Sequence, residues 1–125
     1  MWPAFWLLGE NIDQVGWPGC GEIDIMELIG KEPNMVYSSL HARSYDTTKG
    51  YNRPQGYSDD FHTYAVNWQP DHIDFFFDGQ MFQSIQKSES SGHWPFDDGH
   101  KFFIILNLAV GGNWPGNPDG STQFP

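Results

Sequence analysis

The chain has 125 residues, enough for one domain with a modest hydrophobic core. Its 16 acidic and 6 basic residues give a formal net charge of −10, which disfavours nucleic acid and anionic membranes as partners. No apolar run approaches the roughly 18 residues of a membrane span, and Met1-Trp2-Pro3 lacks the basic start of a signal peptide. A neutral partner therefore suits the chain better than a polyanionic one.

Short apolar or alternating segments separated by turn residues predict an all-β fold, a sandwich or a barrel. The predicted strands are, in chain order, Pro3–Leu8, Gly21–Glu27, Met35–His41, His62–Trp68, His72–Phe77, Met81–Ser84 and Lys101–Val110. Four longer segments are predicted to be loops, namely Gly9–Gly19, Ser44–Asp60, Ser88–His100 and Gly111–Pro125. No window has a sustained helical period.

At the first predicted strand, Trp2 and Trp6 are four residues apart. Side chains alternate along a strand, so both indoles belong on one face. Aromatic residues make up 17% of the chain and include six Trp. This content suits sugar rings, whose apolar faces stack on indoles, and it suits core packing equally well, so both uses stay open.

The second predicted strand carries the most informative motif, Glu22-Ile23-Asp24-Ile25-Met26-Glu27. A regular strand puts Glu22 and Asp24 on one face and Glu27 on the other, but a β-bulge near Ile25-Met26 returns Glu27 to their face. Three carboxylates on one face repel one another, a cost that a fold rarely accepts without a function. The bulged spacing puts the two glutamate carboxyl groups roughly 5–6 Å apart, which matches a retaining glycoside hydrolase.

Other segments give three further expectations. Asp78-Gly79 predicts a tight hairpin, because Gly supplies the positive φ that such a turn needs. The nearly continuous apolar run Lys101–Val110 is predicted to be a buried central strand, in which Asn107 must find hydrogen-bond partners. Cys20 is the single cysteine, so no intrachain disulfide can form and the residue is expected to pack.

Five motifs occur together, namely Trp2-Pro3-Ala4-Phe5-Trp6, Gly21-Glu22-Ile23-Asp24-Ile25-Met26-Glu27, Asp60-Phe61-His62-Thr63-Tyr64 with Trp68, Trp94-Pro95-Phe96-Asp97, and Asn107-Leu108-Ala109-Val110-Gly111-Gly112-Asn113-Trp114-Pro115-Gly116. In these residues and their order the chain resembles glycoside hydrolase family 16, most closely its bacterial-type endo-β-1,3-glucanases (laminarinases). The resemblance implies a concanavalin A-like β-jelly-roll sandwich with a sugar-binding cleft on its concave face. Met26 is the residue that licheninases commonly lack, although agarases and carrageenases also carry it.

The resemblance implies that Glu22 is the nucleophile, Glu27 the acid/base and Asp24 the electrostatic partner of Glu22. In a retaining mechanism the pKa of Glu27 must lie above that of Glu22, and Asp24 is expected to help set this difference. The competing interpretation of the three residues is a solvated acidic strand face.

The resemblance also implies substrate-binding residues. Trp2 and Trp6 are expected to line the glycone side of the cleft, and Trp114 with Asn113 to lie near the cleavage point. His41 is expected either to contact sugar near the acid/base or to be a structural histidine. The weaker expectations are a cleft position for Trp17, packing for Trp68 and Trp94, and loop support for His62.

Residues 1–125 are expected to form one catalytic domain that lacks the family's N-terminal strands and its last strand. No cofactor is expected, and no His/Cys set resembles a zinc site. The resemblance implies that structural calcium is possible in the complete family domain, with its usual ligands expected in the segments that this chain lacks. Exposed sheet edges are expected to pair with a second copy. The family resemblance implies a secreted protein.

The leading functional prediction is retaining endo-hydrolysis of a laminarin-like β-1,3-glucan. A second possibility uses the same residues on mixed-linkage glucan or a galactan, and the net charge disfavours a polyanionic galactan. A third is a non-catalytic β-glucan-binding fragment. The third is less favoured because binding proteins of this kind usually lose the carboxylates that this chain keeps.

Overall fold

The computed structural model describes residues 1–122 as two antiparallel β-sheets packed face to face. In chain order the strands are β1 (Trp2–Gly9), β2 (Glu22–Leu28), β3 (Met35–Ala42), β4 (Tyr45–Asn52), β5 (Tyr64–Trp68), β6 (His72–Phe77), β7 (Gln80–Gln86) and β8 (Phe102–Ala109). One sheet has the order β4-β3-β2-β1-β8 and the other β5-β6-β7. The connections contain a short helix, α1 (Ile12–Val15), and two 3-10 turns (Lys87–Glu89 and Pro95–Asp97). Among the described residues, no helix has the length and apolarity needed to cross a membrane.

The all-β prediction is confirmed, and so is the hairpin between β6 and β7. Asp78 and Gly79 both have positive φ, at 46° and 78°, as a tight turn between antiparallel strands requires. The predicted loop Gly111–Pro125 is free of strands as far as residue 122, and its last three residues lie outside the described part of the chain.

The predicted loop Ser44–Asp60 is wrong over about half of its length, because it contains β4. This strand pairs with β3 from Tyr45 to Asn52, yet none of its residues is buried. Tyr45 and Tyr51 pack partly against the core, but every residue between them is polar or Gly, so the strand has no apolar alternation to reveal it. Its conformation is set by the backbone groups of β3, which a sequence pattern does not display.

The core lies between the sheets, and alternate side chains of β2 and β3 pack into it. Ile23 and Ile25 of β2 and Leu40 of β3 pack with Ile73 and Phe75 of β6, and all five are buried. Since side chains alternate, Glu22 and Asp24 of β2 and His41 of β3 point to the opposite, outer face of the five-stranded sheet. Packing predictions for three further residues are confirmed, because Cys20 and Trp94 are buried and Trp68 packs against this core.

The prediction of a buried central strand at Lys101–Val110 is also wrong. Within residues 1–122, β8 is an edge strand that pairs only with β1, and Ile104, Leu106 and Leu108 are 65%, 75% and 57% exposed. The smaller sheet packs over β2 and β3 and reaches only Phe102 of β8. An apolar run shows that a strand has two apolar faces, but not whether another layer covers them.

Candidate active site

A β-bulge in β2 puts three carboxylates on the outer face of the large sheet. Glu22 and Asp24 pair with His41 and Ser39 of β3, and the register then shifts before Glu27. Against β1 the register also shifts, because Phe5 pairs with Met26 and Trp6 with Asp24. The predicted bulge near Ile25-Met26 is therefore confirmed.

Two adjoining cavities meet at the carboxylates. One, of about 190 Å³, is lined by Trp2, Ala4, Trp6, Glu22, Asp24, Glu27, Asn107 and Ala109. The other, of about 550 Å³, is lined by Trp2, Glu22, Glu27, Tyr37, Ser39, His41, Thr48 and Trp114. Because Trp2, Glu22 and Glu27 line both, the cavities form one cleft with the two glutamates between its halves.

Glu27 is held by two donors from neighbouring strands. The Trp2 indole donates to Oε1 at 3.0 Å and the Ser39 hydroxyl donates to Oε2 at 3.2 Å. Burial raises the pKa of Glu27, and these two hydrogen bonds oppose the rise. The side chain therefore has a fixed orientation and an increased tendency to carry a proton.

Glu22 accepts a hydrogen bond from a loop residue. The Trp17 indole donates to its Oε2 at 2.7 Å. Burial and the charge of Asp24 raise the pKa of Glu22 to about 7, against the opposing effects of Trp17 and His41. Asp24 and Glu22 titrate as an interacting pair, as neighbouring carboxylates must.

Asp24 forms one end of an acid–histidine–acid row. His41 Nε2 lies 3.1 Å from Asp24 Oδ2, and His41 Nδ1 lies 3.1 Å from Asp46 Oδ1. Burial lowers the pKa of His41, but contact with Asp24 and the charges of Glu22 and Asp46 outweigh it and raise this pKa to about 9. His41 is therefore cationic at neutral pH and offsets part of the negative charge of the site.

The two glutamates differ in their surroundings, and the expected pKa order, with Glu27 above Glu22, stays a prediction. The pKa values of both groups are raised, and Glu22 reaches about 7. Glu22 lies beside buried Asp24, whereas Glu27 has two hydrogen-bond donors that favour its ionised form. The expectation from the sequence included Asp24 but not the hydrogen bonds from Trp2 and Ser39.

The aromatic residues fall on this face as predicted. Trp6 donates to Asn107 Oδ1 at 2.7 Å, which satisfies the asparagine of β8 and fixes the indole. Trp114 lies edge-on to Trp2 and Tyr37, with ring centroids 5.6 and 4.9 Å apart, and its loop backbone accepts a hydrogen bond from Lys31.

Two other predicted residues lie outside the two cavities, and three residues that line the larger cavity were not predicted. Asn113 is exposed in the turn beside Trp114 and lines neither cavity. His62 contacts Asp59 and Asp78, which agrees with its expected loop support. Residues that the sequence interpretation missed are Tyr37, Ser39 and Thr48; the first two alternate with His41 on β3 and so could have been found from it.

One group of side chains has the spacing of metal ligands. The ligand atoms of Glu22, Asp24 and His41 lie within 4.8 Å of one another, and no other such group occurs among residues 1–122. Their contacts assign them to hydrogen bonding rather than metal binding, since His41 lies between two aspartates and is protonated at neutral pH. The chemistry available here is that of carboxylates beside a cation.

Comparisons with known proteins point in the same direction. The sequence profile of Glycosyl hydrolases family 16 matches residues 1–124. The endo-beta-1,3-glucanase from Pyrococcus furiosus is 47% identical with a TM-score of 0.90, and the match covers 99% of this chain and 50% of that one. The laminarinase catalytic domain from Thermotoga petrophila RKU-1 is 44% identical with a TM-score of 0.92, covering 98% and 52%. A glucan endo-1,3-beta-glucosidase from Cryptopygus antarcticus is 40% identical over 129 residues, covering 93% of this chain and 47% of that protein.

The fold and the carboxylate-bearing cleft together define a β-sandwich of the glycoside hydrolase class. The chain belongs to glycosyl hydrolases family 16, and its structural neighbours include the laminarinase type of endo-β-1,3-glucanase, as the sequence motifs suggested. The jelly-roll expectation is likewise confirmed by these neighbours. The chain spans about half the length of the relatives it matches.

Proposed function

We propose that this chain provides the catalytic cleft of an endo-β-1,3-glucanase that retains anomeric configuration. The observation that carries the proposal is the bulge in β2, which brings Glu22 and Glu27 to one face and between the two halves of one cleft. The bulge interrupts regular strand pairing and groups like charges. A reaction that needs two carboxyl groups on one face accounts for both features.

In the first step Glu27 donates its proton to the glycosidic oxygen while Glu22 attacks the anomeric carbon. The bond from that carbon to the leaving oxygen breaks, and a covalent glycosyl ester to Glu22 forms. The raised pKa of Glu27 favours the proton that this step consumes. Asp24, held by His41, supplies a fixed negative charge beside the positive character that develops on the sugar.

In the second step a water molecule replaces the departed sugar. Glu27, now ionised, takes a proton from the water, whose oxygen attacks the anomeric carbon and displaces Glu22. Two inversions restore the starting configuration. The cycle uses side chains and water alone, so the proposed reaction requires no cofactor.

The substrate class follows from the cleft and the charge. Trp2, Trp6 and Trp114 offer indole rings on both sides of the carboxylates, which suits the apolar faces of sugar rings. A net charge of −10 favours a neutral glucan over a sulfated or acidic polymer. The similarity to endo-β-1,3-glucanases supports the β-1,3 linkage.

The test is hydrolysis of laminarin by the purified chain and by Glu22→Gln and Glu27→Gln. We expect each variant to lose on the order of 10³-fold in rate or more while its unfolding stays cooperative. Asp13→Asn, which removes an exposed carboxylate from α1, is the matched control and should keep the parent rate. Near-parental activity in either glutamate variant would overturn the assignment.

A further inference from the structure

We infer that Trp17 is a positioning residue for Glu22, because its indole N–H holds one oxygen of this carboxylate in place. This inference rests on the proposed role of Glu22 as nucleophile. The contact joins Trp17 Nε1 to Glu22 Oε2 at 2.7 Å.

Packing does not account for the position of Trp17. The side chain is 57% exposed, whereas Trp94 is 2% exposed and Trp68 packs against the core. An indole that remains this exposed gains little from burial. The bond to Glu22 is therefore its most specific interaction, and the ring also lies at the edge of the cleft, 6.0 Å from His41.

The loop around Trp17 is fixed by backbone hydrogen bonds. The Cys20 N–H donates to the Gly16 carbonyl at 3.0 Å, and the Gly21 N–H donates to the Pro18 carbonyl at 3.1 Å. Buried Cys20 anchors the segment directly before β2. The indole is thus presented to Glu22 by a tied turn rather than by a free surface loop.

The chemistry of the donor decides which form of Glu22 it favours. An indole N–H donates and cannot accept, so Trp17 stabilises the ionised carboxylate and offers nothing equivalent to the protonated acid. The ionised form is the one that attacks a sugar carbon. Trp17 therefore opposes the burial and the charge of Asp24, both of which favour protonation of Glu22.

The other titratable groups around Glu22 come from two strands and the preceding turn. They are Asp24 and Glu27 on β2, His41 on β3 and Cys20 before β2, and His41 is itself paired with exposed Asp46. Cationic His41 lowers the pKa of Glu22, as Trp17 does, and the neighbouring carboxylates raise it. Replacing the Trp17 N–H alone leaves all of these groups in place.

The experiment is a pH titration by NMR of the Glu22 carboxyl carbon in the parent chain and in Trp17→Phe, which keeps a ring and removes the donor. Glu22→Gln assigns the carboxyl resonance. We expect the midpoint for Glu22 to rise by about one pH unit in Trp17→Phe. In the parent, the chemical shift of the Trp17 indole N–H should change with pH at the same midpoint as the Glu22 carboxyl carbon. This pH dependence should vanish in Glu22→Gln.

Trp68→Phe is the matched control, because it also removes an indole donor, but one that bonds the backbone carbonyl of Phe96 at 2.9 Å. Its Glu22 midpoint should equal that of the parent. An unchanged midpoint in Trp17→Phe, or an indole resonance that does not respond to Glu22, would overturn the inference. Laminarin hydrolysis is measured separately: an inactive parent with an intact NMR linkage would contradict the proposed function and leave the Trp17–Glu22 linkage standing.

Discussion

The ionised form of Glu22 reduces the free energy of unfolding of this chain. The pKa of Glu22 is about 7 in the folded chain against an ordinary value of 4.5, because burial and Asp24 disfavour its charge. Between these two values the folded chain binds more protons than the unfolded chain, so stability falls as pH rises through this range. Glu22 therefore destabilises the folded chain least at low pH, where it is protonated in both the folded and the unfolded chain.

Glu22→Gln is expected to stabilise the chain above pH 7 and to match the parent near pH 4. The neutral amide removes the buried charge and can still accept the Trp17 hydrogen bond, so the gain should be on the order of 2 kcal/mol. Chemical denaturation at both pH values measures it, with Asp13→Asn as the matched control for the loss of a carboxylate. A gain that is equal at both pH values would contradict the titration of Glu22 as its source.

At the scale of elements, the bulge in β2 accommodates Met26 while Glu27 stays on the face of Glu22 and Asp24. Ile25 and Met26 both face the interior, where Ile25 is buried and Met26 packs beside Val36 and Phe77. Without Met26 the three carboxylates would occupy alternate positions of a regular strand and would still share one face. The inserted residue therefore changes the local twist and spacing rather than the side of the sheet.

Deletion of Met26 is expected to leave a cooperatively folded chain, destabilised by about 1–3 kcal/mol through lost packing. Deletion of Asp74 from the middle of β6 is the matched control. It puts buried Ile73 and buried Phe75 on opposite faces of the sheet, so it should abolish cooperative unfolding. Thermal unfolding followed by near-UV circular dichroism compares the two. Loss of the fold on deletion of Met26 would show that the bulge is required by the sheet itself.

The elements also show what the sequence could predict. The bulged carboxylate strand, the hairpin at Asp78-Gly79 and the shared face of Trp2 and Trp6 were predictable, because alternation and turn chemistry are local. The edge strand β4 and the exposure of β8 were not, because both depend on which layers lie opposite.

The site shows the same division between local and long-range information. The grouping of the motif residues in one cleft was predictable from their spacing and from their resemblance to a family, and their roles stay predictions. The link from Trp17 to Glu22, and that from Trp6 to Asn107, join residues whose approach only the folded chain reveals. Hydrogen-bond partners on different strands and loops therefore could not be predicted from the sequence.

At the scale of the whole molecule, the strand β8 presents an apolar row on a sheet edge. Ile104, Leu106 and Leu108 are more than half exposed, and within residues 1–122 the outer backbone groups of β8 have no partner strand. Such an edge favours pairing with another strand, and a second copy of this chain offers the same edge. The net charge of −10 on each copy opposes that pairing.

We therefore expect this chain to self-associate reversibly, more strongly at high salt, where the charge repulsion is screened. Leu106→Lys should shift the population towards monomer by adding a charge to the apolar row. Met81→Lys places the same charge on β7, where Met81 is 54% exposed, and should leave association unchanged. Sedimentation velocity measures both variants, and a monomer at every concentration and salt would contradict the expectation.

The central claim, retaining hydrolysis by Glu22 and Glu27, is tested most directly by the configuration of the first product released from laminarin. Proton NMR of the new reducing end, recorded before mutarotation, distinguishes the two anomers. The proposed mechanism predicts that the β-anomer forms first and that Glu22→Gln forms none. Initial release of the α-anomer would contradict the mechanism, because a single displacement at the anomeric carbon inverts it.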